Sequence, residues 1–121
     1  MIKVFGLKNC DTVRKALKWL DARGVAHQFH DFRKDGLARD QLESWAKELG
    51  SDILLNRRGT TWRKLPDDQK ENLTEAAIID LLLTHPAMIK RPLFDFGRFC
   101  RVGFSKKDQE EIAALLDGDI T

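Results

Sequence analysis

Ile2-Lys3-Val4-Phe5-Gly6-Leu7-Lys8-Asn9-Cys10-Asp11-Thr12-Val13-Arg14-Lys15-Ala16-Leu17 decides how this chain folds. The β-branched and aromatic residues of Ile2 to Phe5 predict a short strand that Gly6 ends. Val13, Ala16, Leu17 and Leu20 recur at helical spacing and predict a helix over Asp11 to Arg23, stopped by Gly24. Cys10 falls between the two, at the mouth of the helix. A helix N-terminus presents unpaired N–H groups and the positive end of the dipole, which favour a thiolate over a thiol. The polar neighbours Asn9, Asp11 and Thr12 argue against a cysteine buried as a small hydrophobe. Asp11 either opposes the thiolate by its own charge or caps the helix.

Outward from this stretch, Val25 to Phe32 alternates and predicts a second strand. Strand, helix and strand with short joints form a βαβ unit, so the two strands run parallel. Leu42, Trp45, Ala46 and Leu49 mark a second helix closed by Gly50. Ser51 caps a short apolar turn, Ile53 to Leu55. A polar, basic loop follows from Asn56 to Arg63, and Pro66 opens another short helix. Thr74 caps a helix over Glu75 to Thr84, whose apolar residues wrap more than one face and predict burial. Leu93 to Phe96 and Arg98 to Val102 read as a hairpin. Ser105 with Asp108 resembles a capping box for a last helix, with Ile112, Leu115 and Leu116 as its stripe. The tail from Asp117 to Thr121 is expected to fray. The order is β-α-β, a helical stretch, then β-β-α. It predicts one α/β domain over residues 1–121: a thioredoxin-like fold with a mixed sheet and a helical insertion over roughly 38–90.

The 121 residues suffice for a core without disulfides or metal. A net charge of +2 gives no strong pull toward nucleic acid or anionic membrane. Neither a nucleic-acid motif nor a Gly-Lys-Ser/Thr phosphate loop occurs, so direct nucleic-acid binding is not expected. His27 and His30 lack metal-ligand spacing, and no metal is expected. The longest apolar run, Ala76 to Leu83, is broken by Asp80 and is far short of a membrane span. Met1 runs straight into a strand without a leader, so a cytoplasmic location is expected. The second cysteine, Cys100, lies in Phe99-Cys100-Arg101-Val102 and reads as a packed strand thiol. Two cysteines so far apart make no disulfide framework.

Arg14, Arg57, Arg58, Arg91, Arg98 and Arg101 complete the chemical vocabulary. An arginine fork near a thiol favours its thiolate and holds carboxylates or oxyanions by paired hydrogen bonds. Three stretches then carry a resemblance: Gly6 to Ala16, Leu55-Asn56-Arg57-Arg58-Gly59-Thr60-Thr61-Trp62-Arg63-Lys64-Leu65, and His85-Pro86-Ala87-Met88-Ile89-Lys90-Arg91-Pro92-Leu93. Through them the chain resembles the arsenate reductase (ArsC)/Spx family, and within it the YffB-type branch. The resemblance implies that Cys10 is the nucleophile and that Asn9, Thr12 and Arg14 form the loop around it. It implies further that Arg91 precedes a cis-proline at Pro92, and that Arg101 reaches the same anion pocket. Arg57 is adjacent to Asn56, which stands where arsenate reductases carry an arginine.

What the resemblance implies for function is a monothiol reductase. The Cys10 thiolate attacks an electrophilic sulfur, or an oxyanion such as arsenate. No cofactor is tightly bound; glutathione serves as co-substrate, and a glutaredoxin could regenerate the system. The rival implication comes from the Spx regulators, which bind RNA polymerase. Those often carry a second cysteine three residues after the first. Here that position is Val13, so a local disulfide switch is out of reach.

Overall fold

Strands β1 (Ile2–Gly6), β2 (His27–Asp31), β3 (Leu93–Asp95) and β4 (Cys100–Val102) form one sheet in the order β2-β1-β3-β4 in the computed structural model, which describes residues 2–71 and 73–118. β1 and β2 are parallel, with Ile2 opposite His27 and Gly6 opposite Asp31. β3 runs antiparallel to β1, with Phe5 opposite Leu93, and β4 runs antiparallel to β3. Helix α1 (Asp11–Ala22) makes the crossover between the parallel strands. Helices α2 (Arg39–Leu49), α3 (Ser51–Leu54), α4 (Thr60–Arg63) and α5 (Glu75–Thr84) lie between β2 and β3, and α6 (Lys106–Gly118) follows β4. This is the thioredoxin-like α/β arrangement with a mixed sheet.

The pleat divides the core in two. Val4 and Phe94 pack with Ala16 and Leu20 of α1 and Ile112 of α6 on one face. Phe5 and Leu93 pack on the other face with Leu42 and Trp45 of α2, Leu54 of α3, and Ile78 and Leu82 of α5. Each fully buried side chain of this size contributes about 1.5–3 kcal/mol. Gly6 ends β1 where α1 crosses closest. A Cβ there would lie 2.6 Å from Val13 Cγ2, so only glycine lets the helix sit down on the strand.

Helix ends follow local chemistry. The Thr74 hydroxyl accepts the Ala77 amide at 3.2 Å. Ser105 and Asp108 form the reciprocal box: the Asp108 amide donates to Ser105 Oγ at 3.1 Å, and the Ser105 amide donates to Asp108 Oδ2 at 2.9 Å.

Several boundaries differ from the sequence expectation. β2 starts later because the Val25 amide donates to Leu20 O at 3.0 Å, closing the end of α1 instead of joining the sheet. The hairpin strands are shorter because Phe96 to Phe99 form the turn, with Gly97 at φ +90°. The basic loop contains the helical turn α4, and Pro66 leads into a single 3₁₀ turn, Asp67–Gln69. Gly50, not Ser51, caps α3. α5 keeps an exposed edge at Ala76, Asp80 and Thr84. Helix α6 continues through Asp117 to Gly118, and the rest of the expected frayed tail lies outside the described residues. No described helix is long and apolar enough to cross a membrane.

Candidate functional site

The loop Leu7–Cys10 joins β1 to α1 at one end of the sheet. Leu7 is buried and anchors the loop, while Lys8 and Asn9 are exposed. The Cys10 amide closes the loop by donating to Leu7 O at 3.1 Å. Cys10 is itself the N-cap residue of α1, with extended backbone at φ −88° and ψ 121°, and its side chain makes no capping bond. The cap therefore is not Asp11. Asp11 is the first helical residue, and its carboxylate pairs with Arg14 at 3.4 Å. Cys10 is half-buried and rests against the core face that includes Phe5 and Leu93.

Two side chains brace this loop. Arg14 Nε donates to Lys8 O at 3.1 Å, so the arginine straps the loop from the helix side. Asp31, at the end of β2, braces it from the sheet side. Its Oδ2 accepts the Lys8 amide at 3.0 Å, and its Oδ1 accepts the amides of Arg33 at 2.8 Å and Lys34 at 3.1 Å. Burial alone would raise the Asp31 carboxyl, but the amides of Lys34, Arg33 and Lys8 outweigh it and hold the group below the ordinary 3.8. Asp31 was not singled out from the sequence. Its signal was present in Asp31-Phe32-Arg33-Lys34-Asp35-Gly36, an acid at a strand end followed by a polar turn closed by glycine.

Between the brace and the strap opens a cleft of about 510 Å³, lined by Leu7, Lys8, Asn9, Arg14, Asp31, Arg33 and Lys34. It thus joins two of the expected site residues, Asn9 and Arg14, to three cations that sequence reasoning did not place there. Thr12 is exposed on the first turn of α1.

The Arg91–Pro92 bond is cis. The β1–β3 register, carried one step past Phe5 and Leu93, brings buried Pro92 level with Gly6, at the same sheet end as the cysteine loop. Half-buried Arg91 donates from Nη1 to Ala87 O at 3.0 Å. Arg57 follows α3 in the insertion, on a segment bonded to the one that leads to Arg91. It pairs with Asp52 at 3.0 Å, lies over the Trp62 ring at 5.5 Å, and lines a second cleft with Leu55, Asn56, Arg58 and Lys90.

Arg101 corrects the expectation of a shared pocket with Cys10 and Arg91. It sits opposite Phe94, so its side chain shares the face covered by α1 and α6. There Nη2 donates to Asp108 at 2.9 Å and to Glu111 at 2.6 Å. Its charge is matched by two carboxylates of α6, and its task is to dock that helix.

Cys100 also faces the insertion. Its amide donates to the Glu48 carboxylate, and the half-buried residue packs against the core face that Cys10 also rests on. Burial pushes the Cys100 thiol up to about 12, with the Asp95 and Glu48 carboxylates adding to the effect. Both cysteines are free. Among the described residues no three His, Cys, Asp or Glu side chains gather as a metal site.

A half-buried cysteine capping the first helix of a thioredoxin-like sheet, with helices inserted before a cis-proline, can be compared with known proteins. The solved structure of the YFFB (PA3664) protein superposes with a TM-score of 0.85 at 43% identity, covering 92% of this chain and 97% of that one. An arsenate reductase (ArsC) related protein from Brucella melitensis gives a TM-score of 0.78 at 40% identity, over 91% of this chain and 92% of that one. The global transcriptional regulator Spx of Streptococcus pyogenes is 31% identical over 121 residues, covering 98% of this chain and 87% of its own length. The ArsC family profile matches residues 5–112, from the first strand through the core of the last helix. A family match over most of the chain, with relatives 31% and 43% identical along nearly its whole length, shows that the chain belongs to the ArsC family.

Proposed function

We propose that this protein is a glutathione-dependent thiol reductase with Cys10 as its single nucleophile. The observation that carries the reading is the placement of Cys10: half-exposed, at the N-cap of α1, with no capping bond to occupy the sulfur. In the first step the Cys10 thiolate attacks the glutathione sulfur of a mixed disulfide RS–SG. The Cys10–SG bond forms as the RS–SG bond breaks, and RS⁻ leaves and takes a proton from water. A second glutathione thiolate then attacks Cys10–SG, releasing oxidised glutathione and the Cys10 thiolate. The sum of the two steps is RS–SG + GSH → RSH + GS–SG, so one glutathione thiol is consumed and the other half of the product disulfide comes from RS–SG. No second protein thiol is needed, which fits a Cys100 thiol held protonated beside Asp95 and Glu48. Within this reading Asn9 and Thr12 flank the reacting sulfur, Arg91 and Pro92 form the opposite rim, and Arg14 holds the loop's shape.

Arsenate is the less favoured substrate, because the structure turns Arg101 away toward α6 and ties Arg57 to Asp52. A second reading draws support from the Spx relative: a binding protein for RNA polymerase that uses the fold as a contact surface. The test is turnover of a small glutathione mixed disulfide with glutathione as reductant. Wild-type protein and Cys100→Ser should turn over, and Cys10→Ser should be inactive with its fold intact, since a hydroxyl is a far poorer nucleophile. Equal loss in both variants would indicate a two-cysteine mechanism. A wild-type protein inactive on several disulfides and on arsenate would favour the binding reading.

A further inference from the structure

We propose that the outer edge of β2 is a docking site for an extended peptide segment. The segment adds as a strand antiparallel to β2, with a basic residue toward Asp35 and an acidic residue toward Lys3. This surface includes neither Cys10 nor the loop before it.

The two outer strands of the sheet differ in their backbone. At β4 the outward amide of Cys100 is already taken by the Glu48 carboxylate of α2. At β2 the ladder fixes which groups turn outward. The Ile2 amide donates to Ala26 O and the Phe32 amide donates to Gly6 O, so the even-numbered residues along β2 direct their N–H and C=O groups at β1. His27, Phe29 and Asp31 therefore direct theirs away from the sheet. Asp31 is closed: its amide donates to Asp35 Oδ2 at 2.9 Å, and its carbonyl accepts the Asp35 amide at 2.8 Å. Among the described residues nothing bonds the outward groups of His27 and Phe29. Residues on an outer strand that each offer an open donor and acceptor are a template for one more strand.

A groove of about 590 Å³ runs beside this edge, on the sheet face that α2 covers. Lys3, Phe5, Gln28, His30, Asp35 and Gln41 line it. That volume accommodates the side chains of a short peptide. The hydrogen-bonding groups of the groove are unfilled. Among the described residues the carboxamides of Gln28 and Gln41 have no hydrogen bond, and Lys3 has no ion pair. His30 Nε2 donates to Gly36 O at 2.7 Å, which leaves Nδ1 of the neutral ring as an acceptor.

Charge sets the direction of the segment. Lys3 stands opposite Gln28 in the β1–β2 ladder, and Asp35 is fastened to Asp31, so a cation and an anion mark the two ends of the groove. The strand between those levels spans about 10 Å. A segment antiparallel to β2 meets Asp35 first and Lys3 last. A basic side chain early in the segment and an acidic one later, both on the groove face because side chains alternate, complement both groups. The reverse order brings like charges together.

The probe is the peptide acetyl-Lys-Val-Thr-Val-Glu-Val-amide, titrated into the ¹⁵N-labelled wild-type protein. Its Lys, Thr and Glu share one face, and its last two Val residues come opposite Phe29 and His27. It should shift the amides of His27 and Phe29 and leave those of Arg101 and Val102 in β4 unmoved. Exchanging the Lys and Glu of the peptide should weaken binding about tenfold, as two ion pairs become two repulsions. Methylating the amide nitrogen of the Val opposite Phe29 should weaken it by about the same factor, through the loss of a backbone bond. Lys3→Glu should lose about tenfold in affinity for the probe and regain it for the analogue with Lys in place of Glu. Lys3 is exposed, so the fold should be retained, and circular dichroism verifies it. No shift at millimolar peptide, or equal affinity for the charge-exchanged or the methylated peptide, would overturn the proposal. So would a dimer of the protein alone in analytical ultracentrifugation whose formation moves the His27 and Phe29 amides, since the edge would then belong to a second copy of the chain.

Discussion

The carboxylate of Asp31 accepts the amide of Lys8 at 3.0 Å, and this one bond fastens the loop before Cys10 to the end of a strand 23 residues further along the chain. The same carboxylate gathers the turn that follows β2. A buried acid thus serves two loops at once, one of them the loop that leads into Cys10.

Replacing Asp31 tests that relationship. Asn has one acceptor oxygen in place of two and no charge, so Asp31→Asn leaves at least one amide unsatisfied. The expected cost is about 1–3 kcal/mol, read as a lower denaturation midpoint in urea. The pH dependence has a defined sign. The folded carboxyl sits below its unfolded value of 3.8, so its contribution is present above that value and is lost as pH falls through the lower folded value. The stability gap between wild type and variant should be level near neutrality and narrow in acid below about pH 4. A gap that widens in acid would refute the assignment.

Thiol labelling separates the two cysteines. Cys100 titrates at about 12 against an ordinary 9.0. Near pH 8 that difference lowers its thiolate fraction about a thousandfold. Iodoacetamide should therefore modify Cys10 in the native protein and reach Cys100 only after unfolding, as mass spectrometry of the peptides would report. The raised value also makes a linkage prediction. The folded protein holds the Cys100 proton more tightly than the unfolded chain, so that contribution is complete below about pH 9 and is lost as pH rises toward 12. Cys100→Ala should remove this alkaline loss. Rapid native labelling of Cys100 would show that its surroundings are more open than the packing indicates.

Much of this arrangement was legible in the sequence, and the limits have physical causes. The strand before Cys10 and the helix after it are encoded locally, by side-chain type and by a stripe at 3.6-residue spacing, so the position of Cys10 followed directly. The capping box at Ser105 is local in the same way. The basic cleft is not local: it exists because β2 runs parallel beside β1 and returns its end to the cysteine loop, and no residue between 8 and 31 announces that closure. Arg101 was misread for a related reason. A strand arginine can face either side of a sheet, and the resemblance favoured the side of the thiol. The opposing signal was Asp108 and Glu111, two acids three residues apart on one face of the next helix and able to take a cation from the strand beneath.

A double-mutant cycle on Arg101 and Asp108 follows from that correction. The pair is 2.9 Å apart with side chains 20% and 24% exposed, and Asp108 is also bonded by Ser105. Burial would raise the Asp108 carboxyl, but the Ser105 bonds and Arg101 together hold it low. Arg101→Gln and Asp108→Asn should each destabilise the protein. Their coupling should be favourable at about 1–2 kcal/mol, as for contacting residues in one network. Strict additivity would mean that the arginine is not docking α6.

The seat of α1 on β1 gives the most specific steric test. A Cβ at Gly6 would come within 2.6 Å of Val13 Cγ2, and Val13 is buried against the strand. Gly6→Ala should therefore cost about 1–3 kcal/mol by overpacking. Its effect should extend beyond stability, because lifting the first turn of α1 displaces the residue that caps it. Native labelling of Cys10 should change rate in this variant. Val13→Ala alone removes both methyl groups and should cost about 1–3 kcal/mol through the cavity it leaves. Combined, the two substitutions exchange one methyl position for another: the alanine methyl at position 6 enters space that Val13 vacates. The double variant should then be no less stable than Val13→Ala alone, and well above the sum of the two single losses. If the losses simply add, the strand and helix are not in the steric contact that the geometry gives them. Recovery of stability together with the wild-type labelling rate at Cys10 would show that the Gly6–Val13 contact sets the height of the thiol above the sheet end.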